Sequence, residues 1–423
     1  MIKMIFKQLW NERKSNLFIW LELFVVSVFL WYAADALYVN YQQYKQPVGF
    51  DISHVYYVQM SSVPETSADY DTTTVHASQG GADILAVYDR LKQNPMVSDV
   101  CFTTMTHFHY MWCNQYATFK GDTMVRQGYV RFVDPANFRV FRVKEADGGS
   151  PSLLEKTLND GKVVVTATVA KDFYGSARNA RNKQICITDQ GNQDSTSYVV
   201  GAVCEPQRYN EFNKYDYAYY KPVTHNELVT ASASTAEYLP IFIRVKPSAD
   251  NSHFADDFRK AMTTQLRVGN VYLKDVIPMS FYRTDQIRHY ISDMKMYIAV
   301  IVFFLLNVLL GVVGTFWFRT QQRHAEIGLR MAMGASRKSV FSQLIGEGMA
   351  LLLTSVVLAM IVLLNMVRLD VLTHAPLPLE VAPRIVFGFV ATVVLEAAMI
   401  FVGISFPAWR AMHLHPADVL HEE

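Results

Sequence analysis

The chain has 423 residues, 51% of them hydrophobic, and a formal net charge of +1. A mean hydropathy of +0.09 is too apolar for an average soluble protein and too polar for a chain that is mostly membrane, so a mixed architecture follows. Near-neutral charge, with basic residues scattered in short groups instead of a stripe, gives no reason to expect a nucleic-acid partner.

In chain order, Lys3, Lys7, Arg13 and Lys14 surround Ile2, Ile5, Phe6 and Leu9, whose i, i+3, i+4, i+7 spacing is that of an amphipathic helix over 1–16, with Trp10 as an interfacial anchor. Residues 17–38 are about one bilayer long, with Glu22 and Asp35 near their ends, and lack the cleavage site of a signal peptide; they read as an uncleaved first membrane helix with the N-terminus inside. Residues 39–295 hold no apolar run long enough to span a membrane and form one large aqueous α+β domain on the far side. Three further apolar helices are expected at 296–318, 345–367 and 385–406, with a short outer loop at 368–384 and a cytoplasmic tail at 407–423. Arg368 and Arg384 in that outer loop run against the positive-inside rule, but the inner segments hold more cations.

Within the aqueous domain, strands are expected at 54–60, 197–206 and 238–247. Helices are expected at 81–95 and 252–267, the latter entered from a serine cap, and a strand passes into a short glycine-stopped helix over 162–175. All the cysteines, Cys101, Cys113, Cys186 and Cys204, fall here, a distribution suited to an oxidising compartment. Local pairing, 101 with 113 and 186 with 204, stands against free buried thiols in a domain large enough to fold without staples. Residues 97–113 read as a strand or a hairpin; a continuous strand over 101–113 would put Cys101, Met105, His107, His109, Met111 and Cys113 on one face. Those are soft-metal ligands, but core filling is the reading taken, and no metal site is assigned.

The segment 319–344 sets Arg319, Arg323, Arg330, Arg337 and Lys338 against Glu326, the signature of a cytoplasmic loop. Glu326 lies three residues after Arg323 and four before Arg330, so these charges meet on one helix face. Ile327 and Met331 give that helix an apolar face, Gly334 is the natural left-handed stop, and Ser336 is the N-cap of the next helix. A charged elbow between two membrane helices is either a lever for a cytoplasmic partner or an anchor that fixes orientation.

The run RHAEIGLRMAMGASRKS closely resembles the signature of FtsX-like permeases, the group that includes MacB-type exporters and lipoprotein-releasing permeases. The matching positions are Arg323, Glu326, Ile327, Gly328, Arg330, Ala332, Gly334, Ala335 and Ser336, with Glu347 at the acid that commonly follows. The ending resembles the same group's C-terminal pattern through Pro407, Ala408, Arg410, Ala411, Pro416 and Leu420. VRFVDPANFRVF and VVVTATVAKDFYGSA resemble a MacB periplasmic core. The resemblance implies a four-helix permease in the bacterial inner membrane, with a two-subdomain periplasmic α+β domain between its first two helices. One subdomain would contact a periplasmic adaptor.

No G-x-x-x-x-G-K-[ST] loop occurs, so this chain is not expected to hydrolyse ATP and no cofactor is expected in it; the resemblance then implies a separate ABC-type ATPase, carrying ATP and Mg, that docks at the cytoplasmic elbow. No G-x-S-x-G or H-E-x-x-H occurs either, and the chain is not expected to be an enzyme by itself. A second permease copy or paralogue, a periplasmic adaptor and an outer-membrane channel are the further implied partners. Export is the implied work, with lipoprotein release, or an FtsX-like scaffold that activates a cell-wall hydrolase, as alternatives. The membrane acids Glu22, Glu347 and Glu396 remain as candidates for proton relay or helix packing.

Overall fold

The computed structural model describes residues 10, 12–72, 79–104, 109–111, 115–121, 124–189, 194–223, 239–369 and 375–412. Residues 1–9 of the amphipathic segment, Met105, His107, Cys113, part of the loop before the last helix, and the tail with Pro416 and Leu420 lie outside them. The chain divides into two units, Met1–Tyr44 with His289–Glu423, and Lys45–Arg288.

The first unit is helical. Among the described residues four helices are long and apolar enough to cross a membrane: α1 (Arg13–Lys45), α8 (Met279–Gln322), α10 (Arg337–Arg368) and α11 (Val381–Met412). A short helix α9 (His324–Ala332) sits between α8 and α10. One apolar stripe from each long helix makes the shared core. Ile19, Leu23, Val26 and Leu30 of α1 meet Val308, Val312 and Phe316 of α8, Leu344, Leu351 and Val356 of α10, and Ile400 and Ile404 of α11. In α1, α8 and α11, steps of three and four residues put each set on one helix face. Gly348 lets α10 approach α11 closely, because a Cβ there would lie 2.4 Å from Ile404 Cδ1.

The second unit is α+β and has two parts. Strands β1 (Val55–Ser62), β2 (Val97–Phe102), β9 (Ile241–Val245) and β10 (Val271–Pro278) form an antiparallel sheet in the order β10-β1-β9-β2. Helix α2 (Gln79–Gln93) follows β1, and α7 (Phe254–Met262) follows β9. The sequence of elements is therefore βαβ twice over, a ferredoxin-like arrangement. The helices cover one sheet face through Ile84, Val87, Leu91, Phe254 and Phe258.

Between β2 and β9 the chain builds a closed six-stranded barrel from β3 (Tyr116–Lys120), β4 (Val125–Val133), β5 (Val163–Thr166), β6 (Gln184–Asp189), β7 (Thr196–Cys204) and β8 (Ala218–Pro222). They run in the order β3-β4-β8-β5-β7-β6. Helices α3 (Asn137–Val140), α4 (Pro151–Asn159), α5 (Ala167–Tyr174) and α6 (Ala177–Ala180) link these strands. Val163 and Val165 point into the barrel, while Val164, with Ala202, Cys204 and Tyr220, packs outward against Phe138, Phe141 and Phe242. Burial on both faces is why this strand reads as an uninterrupted valine run. Arg131, fully buried on β4, is held by Asp216 at 2.9 Å, by Tyr220 Oη at 2.9 Å and by Gln207, so its charge is paired and hydrogen-bonded as burial demands.

Three expectations for this unit are corrected. The strand after Val97 stops at Phe102, and Tyr110 has φ +58°, which breaks the alternation that placed 101–113 on one face. Among the described residues no group of His, Cys, Asp and Glu is placed to hold a metal. Cys186 and Cys204 are unpaired: β6 and β7 are antiparallel neighbours in which Cys186 faces Ser197, leaving Cys204 several residues farther along its strand. Cys101 is also a free, buried thiol. Helix α7 starts at Phe254 from His253, without a side-chain cap, and draws its N-terminal stabilisation from Asp256 and Asp257 in its first turn.

Candidate functional site

The elbow begins where α8 ends. Arg323 takes the N-cap position of α9 and has no capping side-chain bond; its guanidinium instead gathers carboxylates. Nη2 is 3.0 Å from Glu12, Nη1 is 3.2 Å from Glu347, and Nε is 3.6 Å from Glu326. Glu326 pairs along α9 with Arg330 at 2.5 Å, and Arg330 Nη1 donates to Gln343 Oε1 at 3.0 Å. Gln343 Nε2 donates to Glu347 Oε1 at 3.3 Å. Glu326, Arg330, Gln343, Glu347 and Arg323 thereby close a ring that ties α9 to the first turns of α10. Glu347 is only 1% exposed, so its charge depends on this ring.

Apolar contact reinforces the ring. Ile327 and Gly328 are the buried positions of α9, and Ile327 shares a core cluster with Val340 and Leu344 of α10. The break between the helices is a Schellman motif: Ala335 N donates to Arg330 O and Gly334 N to Met331 O, each at 3.0 Å. Gly334 has φ +98°, the left-handed conformation this motif requires. Ser336, in an extended conformation, accepts from Ser339 N at 3.2 Å and opens α10.

The charged pair that marks the elbow in the sequence thus joins the ring while Glu326 stays exposed. Beside it, α9 and its C-cap also expose apolar surface: Leu329 is 51% and Met333 73% exposed, four residues apart. Sequence reasoning missed this apolar pair, which the i, i+4 spacing of Leu329 and Met333 encodes. It also missed Glu12 and Gln343, although Gln343 stands four residues before Glu347.

The other membrane acids lie elsewhere. Glu396 is fully buried and accepts from Ser27 Oγ at 2.8 Å, joining α11 to α1. Glu22 sits against Gly311 of α8, where a Cβ would come within 2.5 Å of its carboxylate. Neither joins the ring. At the far end of the same helices, Asp35 takes Arg384 in a two-bond pair, Nε to Oδ1 at 2.9 Å and Nη2 to Oδ2 at 2.7 Å, both residues buried. This neutralises one of the arginines that counted against the expected orientation. In the C-terminal motif, Pro407, Ala408 and Ala411 are buried in α11, and Arg410 stacks on Trp317 at 4.6 Å.

Residues 298–416 match the model of the FtsX-like permease C-terminal family. Similar solved structures include a domain of a permease protein from Porphyromonas gingivalis, with 13% identity, a TM-score of 0.35, and coverage of 54% of this chain and 90% of that one. The periplasmic region of MacB from Actinobacillus actinomycetemcomitans gives 10%, 0.34, 57% and 94%. The extracellular domain of the noncanonic ABC-type transporter YknZ from Gram-positive bacteria gives 14%, 0.30, 52% and 100%. Likenesses of that strength carry no argument about function. No curated protein matches the chain. The matched residues hold the Schellman-stopped elbow and most of the last three long apolar helices, so this part of the chain is similar to the C-terminal region of FtsX-like permeases.

Proposed function

We propose that this chain is the permease subunit of an ABC-type transporter in the bacterial inner membrane, driven by an ATPase outside the chain that binds Mg and ATP. The observation that carries this reading is the elbow. Arg323 and Arg330 brace α9 to α10, and the elbow's exposed surface carries the apolar pair Leu329 and Met333. A braced helix passes a push into the membrane helix behind it, and an exposed apolar pair on a charged loop is a surface made for a protein partner.

On this reading ATPase closure pushes α9, α10 moves with it, and the motion reaches the α+β domain on the far side. That domain drives export or extraction of a substrate there, with a second permease copy or paralogue alongside and an adaptor and outer-membrane channel beyond. The test is to purify the tagged full chain from native membranes in mild detergent and assay vanadate-sensitive ATP hydrolysis. An ATPase should accompany the chain in fixed ratio; its absence across detergents would overturn the proposal.

A further inference from the structure

Between the first turns of α1 and the middle of α10 lies a cavity of about 380 Å³ lined by Trp10, Arg13, Asn16, Leu17, Trp20, Leu351 and Thr354. Its walls are mostly apolar, and polar groups in them are bonded within the protein: Trp20 Nε1 donates to Thr354 Oγ1 at 3.1 Å, and Asn16 Oδ1 accepts from Arg319. Arg13 is the one charged group in the lining. Its guanidinium lies 5.7 Å from the ring centre of Trp10 and donates to the Trp10 carbonyl at 3.3 Å, and no carboxylate pairs with it among the described residues. Arg323, on the same end of the bundle, is matched by Glu12, Glu326 and Glu347.

The chemistry of this cavity is that of an amphiphile's two ends. Leu17, Trp20 and Leu351 offer surface to a hydrocarbon chain, and two indoles mark the depth at which head groups meet the apolar layer. Arg13 offers an unneutralised fork of donors, which suits a phosphate better than any other anion of the membrane surface. A soluble anion would leave the apolar walls uncovered.

We propose that this cavity binds one anionic phospholipid, its phosphate on Arg13 and an acyl chain along Leu17, Trp20 and Leu351. The proposal rests on α1 and α10 being membrane helices and is independent of the ATPase. One basic residue at a membrane surface is worth about a fivefold preference for anionic lipid. The delipidated full chain in detergent, titrated with phosphatidylglycerol or phosphatidylcholine and read by native mass spectrometry, should therefore bind the first about five times more tightly. Arg13→Ala should abolish the preference while keeping residual binding of both lipids. Trp20→Ala should weaken both lipids alike, and Arg337→Ala, on the elbow, should change neither. Equal affinity for the two lipids, a preference that survives Arg13→Ala, or an equal loss in Arg337→Ala would each overturn the site.

Discussion

Replacing Arg323 with methionine tests whether the ring at the elbow holds α9 against α10. The substitution preserves most of the side chain's length and removes its charge. It leaves Glu347 buried with Gln343 as its remaining partner from the ring. Stranding one member of a buried pair costs about 3–5 kcal/mol, and the retained Gln343 bond places this case near the lower end, about 3 kcal/mol. The half-exposed Glu326 and Glu12 contacts add no more than a few tenths each. Glu347→Gln alone leaves Arg323 with two carboxylates and should cost about 1 kcal/mol. Combined with Arg323→Met it removes the stranded charge, so the double variant should recover about 2 kcal/mol relative to Arg323→Met. Reversible unfolding of the full chain in mixed micelles, followed by circular dichroism, reads all members of the cycle. Additivity within about 0.5 kcal/mol would show that the two residues act independently and would refute the ring.

At the far end of the same helices, Asp35→Asn should leave Arg384 charged in a buried site and cost about 3 kcal/mol in the same assay, while Asp35→Leu with Arg384→Met should be much milder. A Cβ at Gly334 meets nothing within 4 Å, so Gly334→Val should fail through backbone strain alone, about 1–3 kcal/mol, and Gly334→Asn, which tolerates the left-handed region, should be nearly neutral. Maleimide labelling of the intact protein should modify Cys186 quickly and spare Cys101 and Cys204; a peptide linking Cys186 to Cys204 would contradict the fold of the barrel. Burial pushes the Cys204 thiol up to about 12, above its ordinary value near 9. A raised folded-state value gives stability that is complete below the ordinary value and lost as pH rises through 9 toward 12. By about pH 11 this thiol alone should cost about 2–3 kcal/mol, read as accelerated Cys204 labelling, and Cys204→Ala should flatten that dependence.

The architecture was legible where one residue type decides the structure. Apolar runs of bilayer length marked the four long helices, and Gly334 with Ser336 marked the elbow's break because a left-handed stop and an N-cap leave few substitutes. The barrel was not legible. Its closure depends on non-local pairs such as β4 with β8, and a strand buried on both faces, like Val163–Thr166, lacks the alternation that assigns a face. The single-face reading of residues 101–113 failed because period-two reasoning assumes an unbroken strand, and a left-handed residue at Tyr110 ends that assumption. At the elbow, sequence spacing found the Glu326–Arg330 pair but not its orientation. Which side of a short helix faces the protein is set by Val340, Gln343, Leu344 and Glu347 on the next helix, beyond the reach of i, i+4 reasoning.

The central claim is that a partner ATPase acts through the exposed apolar pair on α9 and its C-cap. The most direct measurement replaces Leu329 and Met333 together with aspartate, in the full chain purified from native membranes, and compares its accompanying vanadate-sensitive ATPase activity with that of the unaltered protein. Both residues are exposed and outside the ring, so folding and membrane insertion should be unchanged, and loss of an anchoring pair at an interface, about 2–4 kcal/mol, should reduce the retained activity at least tenfold. Full retention of the activity by the aspartate variant would contradict the claim and leave the elbow as an anchor that sets orientation.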